Sequence, residues 1–401
     1  MQIGFVNFNT EEKKRVAKMM HLLQESEAIE ELGIGRVRDH FSNTLFPGTS
    51  TLQHHAKYFV LLSSLYYHAA FKSRRFKDLD DVFSYIKKAE VQITRQLSED
   101  AKTDIKGITG IKTYKDALDD YNKFVKYDPA YIYGGGLVRY GIIPNTAVEK
   151  LIFDLNKTHF ADPHNKSVMK CEDLTEDAGE LSGDEQFIKT CGESYDFFNG
   201  KTMSLSLTPA ESSFMKDRIK ATCSGSMLDY LIECKCDTSV IGYFDLEKLL
   251  TGLNFKMLEV YRKSVLFSKL IHLIDWRYNY CYFNSFDKTD KAVSCNEEYL
   301  KLFAEYKQVI NNEKEYEALF KDMYTIDISL AGFCEKCYIE IIKENVKELD
   351  RLVMEREYTV KKDRKKIGNN AYRDQERGNP KPNTFRWENV RTMVSEIRNP
   401  Q

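Results

Sequence analysis

The chain has 401 residues, 42% of them hydrophobic, with 59 Lys and Arg against 61 Asp and Glu and a formal net charge of −2 at neutral pH. That length corresponds to two or three domains, or one large domain with insertions, and the apolar fraction is ample for a core. The near-neutral balance excludes attraction of the whole chain to a polyanion, so any nucleic-acid surface has to be local. Nine cysteines, an odd number scattered along the chain, read as the reduced thiols of a cytosolic protein. The opening Met1-Gln2-Ile3-Gly4-Phe5 lacks the basic-then-apolar order of a secretory signal. The longest apolar run, Tyr58 to Phe71, is short and broken by Ser63, Ser64 and His68. No membrane span and a cytoplasmic location are therefore expected.

Taken in order, Gly4 to Phe8 alternates like a short strand, and Thr10 with Glu11 and Glu12 opens a helix that turns Met19, Met20 and Leu23 inward. Glu31 and Leu32 read as a helix end before Gly33 and Gly35. Ile34, Val37, Arg38 and Phe41 recur at helical spacing, which predicts a short helix over about 34–43. Pro47-Gly48 forces a turn. Thr49 or Ser50 then offers a hydroxyl to cap a long helix starting near Leu52. Its first turn is polar (Thr51, Gln53, His54, Lys57) and the remainder apolar (Phe59, Val60, Leu62, Leu65, Tyr66).

Helix, tight turn and helix with a cation-bearing start is the layout of a helix-turn-helix reader, over about 27–70. In that reading Arg36, Arg38, Thr51, Gln53, His54 and Lys57 meet nucleic acid, supported by Lys72, Arg74 and Arg75 of a basic knot that also holds Lys77, and by lysines of the tail. The competing reading is an ordinary helical hairpin whose Thr and Ser merely cap. A phosphate-binding P-loop is excluded because no Gly-Lys-Ser/Thr follows the glycines.

Val82, Phe83, Ile86, Ala89, Ile93 and Leu97 mark the next helix, and Gly107 to Gly110 the turn after it. Tyr131 to Ile142 holds three consecutive glycines and Arg139, which read as a helix interrupted for close packing. Residues 171–196 are an acidic block facing only Lys189, the composition of a solvated linker or loop. Its acids lack the spacing of a calcium loop. Met203, Leu205 and Leu207 alternate as a short strand, and Thr208 caps a helix with Pro209 at its first position. Three amphipathic stripes follow: Val260 to Tyr278, Leu300 to Ile310, and Phe333 to Val353.

From Tyr358 the chain turns basic, with Lys361, Lys362, Arg364, Lys365, Lys366, Arg373 and Arg377 outnumbering Asp363, Asp374 and Glu376. This is either a solvated helix end or a phosphate-contacting arm. Phe385-Arg386-Trp387 leads into a last helix, with Arg386 a further candidate contact. The expected fold is mainly α and multi-helical with a few short strands. Its expected organisation is an N-terminal helical domain (1–170), an acidic linker (171–200), a C-terminal helical domain (201–357) and a basic tail with a terminal helix (358–401).

These residues resemble a bacterial family designated domain of unknown function 6361. The resemblance is carried by Glu31-Leu32-Gly33-Ile34-Gly35 with Arg38-Asp39, and by Phe46-Pro47-Gly48-Thr49-Ser50-Thr51 with Tyr58-Phe59. It continues through Tyr131 to Ile142 and Phe385-Arg386-Trp387 with Val390-Arg391 and Ile397, which implies coverage of nearly the whole chain. Tyr133 before three glycines departs from the family's Trp before one. The family resembles accessory components of phage-defence islands encoded beside helicases and phospholipase-D-like nucleases. What it implies is a subunit that works on DNA with such a partner, and it supplies no catalytic residues.

Two hidden chemistries have to be weighed. Asp217 with Glu233-Cys234-Lys235 mimics the carboxylate pair and lysine of a metal-dependent nuclease, but Met227, Leu228, Leu231 and Ile232 are spaced as a helix face. Cys234-x-Cys236 with Cys334-x-x-Cys337 has the ligands for zinc, against two buried helical thiols as the plainer reading. No Gly-x-Ser-x-Gly or His-Glu-x-x-His occurs. The expectation is a non-enzymatic nucleic-acid-binding or assembly subunit with no cofactor or metal. A protein adaptor for a helicase or nuclease is the alternative, and a metal-dependent nuclease the remote one.

Overall fold

A computed structural model of the chain describes residues 31–100, 106–161, 188–198, 203–234, 237, 238 and 240–401. The protein is mainly α and multi-helical, and no strand occurs among the described residues. The helices, in order, are α1 (Gly35–Leu45), α2 (Lys57–Phe71), α3 (Leu79–Asp100), α4 (Tyr114–Ala117), α5 (Pro129–Arg139), α6 (Val148–Ala161) and α7 (Pro209–Cys223). There follow α8 (Met227–Glu233), α9 (Phe255–Asn284), α10 (Thr289–Ile310), α11 (Glu313–Ile326), α12 (Ile328–Ile342), α13 (Val346–Lys361) and α14 (Trp387–Arg398). None of them is long and apolar enough to cross a membrane. The expected strand over Gly4 to Phe8 and the helix after Thr10 lie outside the described residues, as does most of the acidic block.

The chain forms two compact units, each combining two stretches: 1–40 with 262–383, and 41–261 with 384–401. In the second unit α2 is the core helix. Residues 57–66 are all buried, so it has no wet face over that length, and it packs against α3, α5 and α6. Burial of side chains such as Phe59, Leu62 and Leu65 stabilises by roughly 1.5–3 kcal/mol each. The three glycines do not interrupt α5, which runs through them after a proper start: Asp128 accepts from the Tyr131 amide and Pro129 takes the first position. Only Gly136 is needed for close approach, since a Cβ there would sit 2.5 Å from the Gly48 carbonyl oxygen and from the Phe59 ring. Gly48 in turn has φ +80°, which its turn requires and other residues resist.

Thr208 and Glu211 form a reciprocal capping box on α7, with Pro209 at the first position as expected. Met203 to Leu207 is not a strand. Its backbone bonds singly, the Met203 amide to Gln96 and the Leu207 carbonyl to Gln401, and no neighbouring strand extends a ladder. The terminal helix α14 packs on α7 and α8, with Trp387 fully buried, stacked on Phe46 and donating its indole N–H to the Ile241 carbonyl.

The first unit is built on residues 262–284 of α9, with α11, α12 and α13 packed in succession. Phe267, Ile271, Ile274 and Tyr278 are buried as the stripe predicts, whereas Leu300 of the second stripe is exposed. Arg277 is buried and held bidentately by Asp350 (2.8 and 2.6 Å) with Asn296 at 2.6 Å, which ties α9 to α13 and α10.

Candidate functional site

Residues 46–57 do not begin a helix at Leu52. α2 starts at Lys57, because tertiary partners take the polar groups that a helix would otherwise use. Gln53 bridges, accepting from the Ser50 amide (3.0 Å) and donating to the Ile132 carbonyl (3.0 Å). The Tyr133 hydroxyl accepts from the amides of His54 and His55. Neither Thr49 nor Ser50 caps the helix. Thr49 donates to Phe46, and the start of α2 is closed by Glu396 of α14, which accepts from the Ala56 amide at 2.7 Å. That places a carboxylate at the positive end of the helix dipole. The same carboxylate lies 2.6 Å from His55 Nδ1, while His55 Nε2 faces the Lys106 carbonyl at 2.8 Å.

This overturns the helix-turn-helix reading of these residues. Gln53 is 2% exposed and Lys57 4%, and both Lys57–Glu211 hydrogen bonds measure 2.7 Å. A helix buried along its first ten residues cannot enter a groove. His54 is half-buried, and burial, followed by the charges of His55 and Lys106, pushes its imidazole pKa down, away from the cationic form a phosphate would favour. Thr51 remains exposed, with its carbonyl accepting from Asn389. Arg386 is turned inward to Asn43 (2.8 Å) and the Thr49 carbonyl (2.6 Å). Arg74 and Arg75 are both exposed, but Arg74 is paired bidentately with Asp81, whereas Arg75 makes no ion pair among the described residues. Arg36 has a 74% exposed side chain, 3.6 Å from Asp327.

The basic stretch is no loose arm either. Glu357, fully buried, accepts from the Tyr278 hydroxyl (2.6 Å) and from the amides of Lys366 (2.8 Å) and Ile367 (3.1 Å), which pins the chain after α13. Three of its cations then converge on Glu31 Oε1: Lys366 at 3.0 Å, Arg377 at 3.2 Å and Lys361, itself buried, at 3.6 Å. Burial pushes the Glu31 carboxyl up, but the Lys366 hydrogen bond and the charges of Arg377 and Lys361 outweigh it and hold the group down at about 2. The remaining cations, Lys362, Arg364, Lys365 and Arg373, are exposed and make no ion pair among the described residues. Lys365 lies over the ring of Tyr358, which is 57% exposed.

A polar cavity of about 240 Å³ opens in the same unit, lined by Glu31 and Arg38, by Asp275 and Asn279 of α9, and by Arg377 and Lys381. Nothing in sequence spacing points to Asp275, which lies between buried stripe residues; only folding joins it to positions 31–38 and 377–383.

The two hidden chemistries do not assemble. Asp217 is an exposed residue within α7 and Glu233 the exposed end of α8, while Lys235 lies outside the described residues. Cys334 and Cys337 are buried in α12, where burial pushes the Cys334 thiol up to about 12 and the Cys337 thiol higher still. These are apolar packing groups and not ready thiolates. Cys236 lies outside the described residues, and no group of three or more metal-ligating side chains occurs among the described ones.

The model of a family of unknown function (DUF6361) matches residues 1–117. This span holds the part of the cavity lining from Glu31 to Arg38 and the whole of 46–57. The resemblance read from the sequence reached further, over 131–142 and 385–397, and those segments lie beyond the match. Neither the curated proteins nor the solved structures contain a match to the chain.

Proposed function

We propose that this chain is a nucleic-acid-binding or assembly subunit, without catalysis of its own, of a bacterial anti-phage defence system. The observation that carries the reading is the exposed set Lys362, Arg364, Lys365 and Arg373, with Lys365 over the exposed ring of Tyr358. Cations without carboxylate partners release counterions on meeting phosphates, and an exposed tyrosine ring offers a stacking platform for an unpaired base. Asp363 and Asp374 interleave with them, so the field is modest and binding is weak and steeply salt-dependent. The bacterial defence context, and with it a helicase or phospholipase-D-like nuclease as partner, rests on the family resemblance alone.

The test is fluorescence anisotropy with duplex and single-stranded DNA over a salt series, comparing wild type with K362A/R364A/K365A/R373A. The wild type binds, and the variant's log–log salt slope on a single strand is shallower by about 0.7 for each phosphate it no longer neutralises. An unchanged slope and affinity would place any binding elsewhere, with Arg36 and Arg75 the next residues to change. Absence of binding at low salt would favour the adaptor reading, in which the acidic block 172–196 engages a basic partner surface. Deleting that block would then abolish co-purification.

A further inference from the structure

The cavity of the first unit holds two carboxylates in opposite situations. Glu31 is saturated by three cations, whereas Asp275 makes no hydrogen bond and no ion pair among the described residues. The nearby guanidinium of Arg377 acts on it through charge and makes no hydrogen bond to it. Arg377 donates from Nε to Asn279 at 2.7 Å and from Nη1 to Glu31 at 3.2 Å, and lies over the rings of Tyr278 and Tyr282. Of the other residues lining the cavity, Lys381 makes no ion pair, and the side-chain amide of Asn383 makes no hydrogen bond, among the described residues. A partly desolvated carboxylate without a donor is costly, and such groups are found where a ligand supplies the donor.

We propose that this cavity binds a small zwitterion of the amino-acid type, its ammonium group on Asp275 and its carboxylate on Lys381. The size fits, since about 240 Å³ is below the roughly 300–1,000 Å³ of drug-sized sites. The charge pattern fits as well. An anion alone leaves Asp275 unpaired, and an amine alone leaves Lys381 unpaired.

The ammonium requires an ionised Asp275. Burial pushes that carboxyl up to about 7, with Arg377 pulling it down and Glu31 pushing it up. Arg38 and Lys381 also line the cavity, Tyr278 stands on the same helix with its hydroxyl committed to Glu357, and Cys334 is the titratable neighbour from α12. Below neutrality a proton must leave Asp275 as the ligand enters, so affinity falls by about tenfold for each pH unit below 7.

The test uses the full chain and a panel of the free amino acids, in thermal-shift and calorimetric titrations near pH 8. Methylamine and acetate serve as the two half-ligands. The expected result is a rise in Tm and saturable heat with at least one amino acid, and neither with the half-ligands. D275N and K381A should each weaken binding at least about tenfold, and the pH dependence should flatten in D275N. No amino acid binding up to about 10 mM would overturn the proposal. So would binding unaffected by both variants. Lys381 is exposed, so K381A keeps the test decisive if D275N does not fold.

Discussion

Residues 46–57 and 361–377 look alike in the sequence: polar, cation-bearing stretches next to a helix, each readable as a phosphate surface. The structure treats them differently. In the first, the fold takes up the cation: Lys57 is buried on Glu211, Gln53 bridges two segments, and the helix start is closed by Glu396. In the second, the cations divide. Lys361, Lys366 and Arg377 stabilise Glu31, while Lys362, Arg364, Lys365 and Arg373 stay in water. Composition cannot separate these outcomes, because a carboxylate far away along the chain decides each one.

The comparison breaks most sharply at Lys57. Lys57→Ala leaves Glu211 as a buried charge without its counter-ion, and should cost about 3–5 kcal/mol of stability in denaturant unfolding. A decrease within the range of a surface change would mean that Lys57 is solvated after all, and would revive it as a phosphate ligand. Glu31 comes next. Its folded pKa lies below its unfolded value of 4.5, so its contribution is present above that pH and lost as pH falls towards about 2. Glu31→Gln should therefore lower stability by about 3 kcal/mol at neutral pH, and the gap to wild type should close through that acid window.

A smaller effect tests how residues 46–57 are held. Gly136→Ala drives a methyl into the Gly48 carbonyl and the Phe59 ring, and should destabilise by about 1–3 kcal/mol. Gly135→Ala, one residue away and facing open space, should stabilise the helix by about 0.5–1 kcal/mol. Equal effects at the two glycines would show that α5 does not pack on that turn. Smallest is the exposed set itself: alanine at Lys362, Arg364, Lys365 and Arg373 should each move stability by no more than about 0.5 kcal/mol, so weaker DNA binding in these variants would not reflect unfolding.

Much of the architecture was legible in local pattern. The helix near 34–43, the Thr208–Pro209 start of α7 and the buried stripe of α9 rest on interactions within a few residues, which periodicity and capping chemistry report directly. The expected strand at 203–207 was not borne out, because alternation describes which residues are buried and does not supply a neighbouring strand. The start of α2 was misplaced because its cap comes from the other end of the chain. Of the candidate site, spacing indicated the basic stretch but not its division, and it gave no hint of Asp275.

The sequence by itself determined that this protein is helical, that its apolar residues suffice for a core, and that any polyanion surface must be local. Those properties follow from period, composition and charge, each additive along the chain. Only the tertiary structure decided which cations are committed to Glu31 and Glu211 and which face water, and that Asp275 meets Arg38 and Lys381 around one cavity. The physical reason is that an ion pair depends on distance in space, and a fold brings together charges that the chain holds hundreds of residues apart.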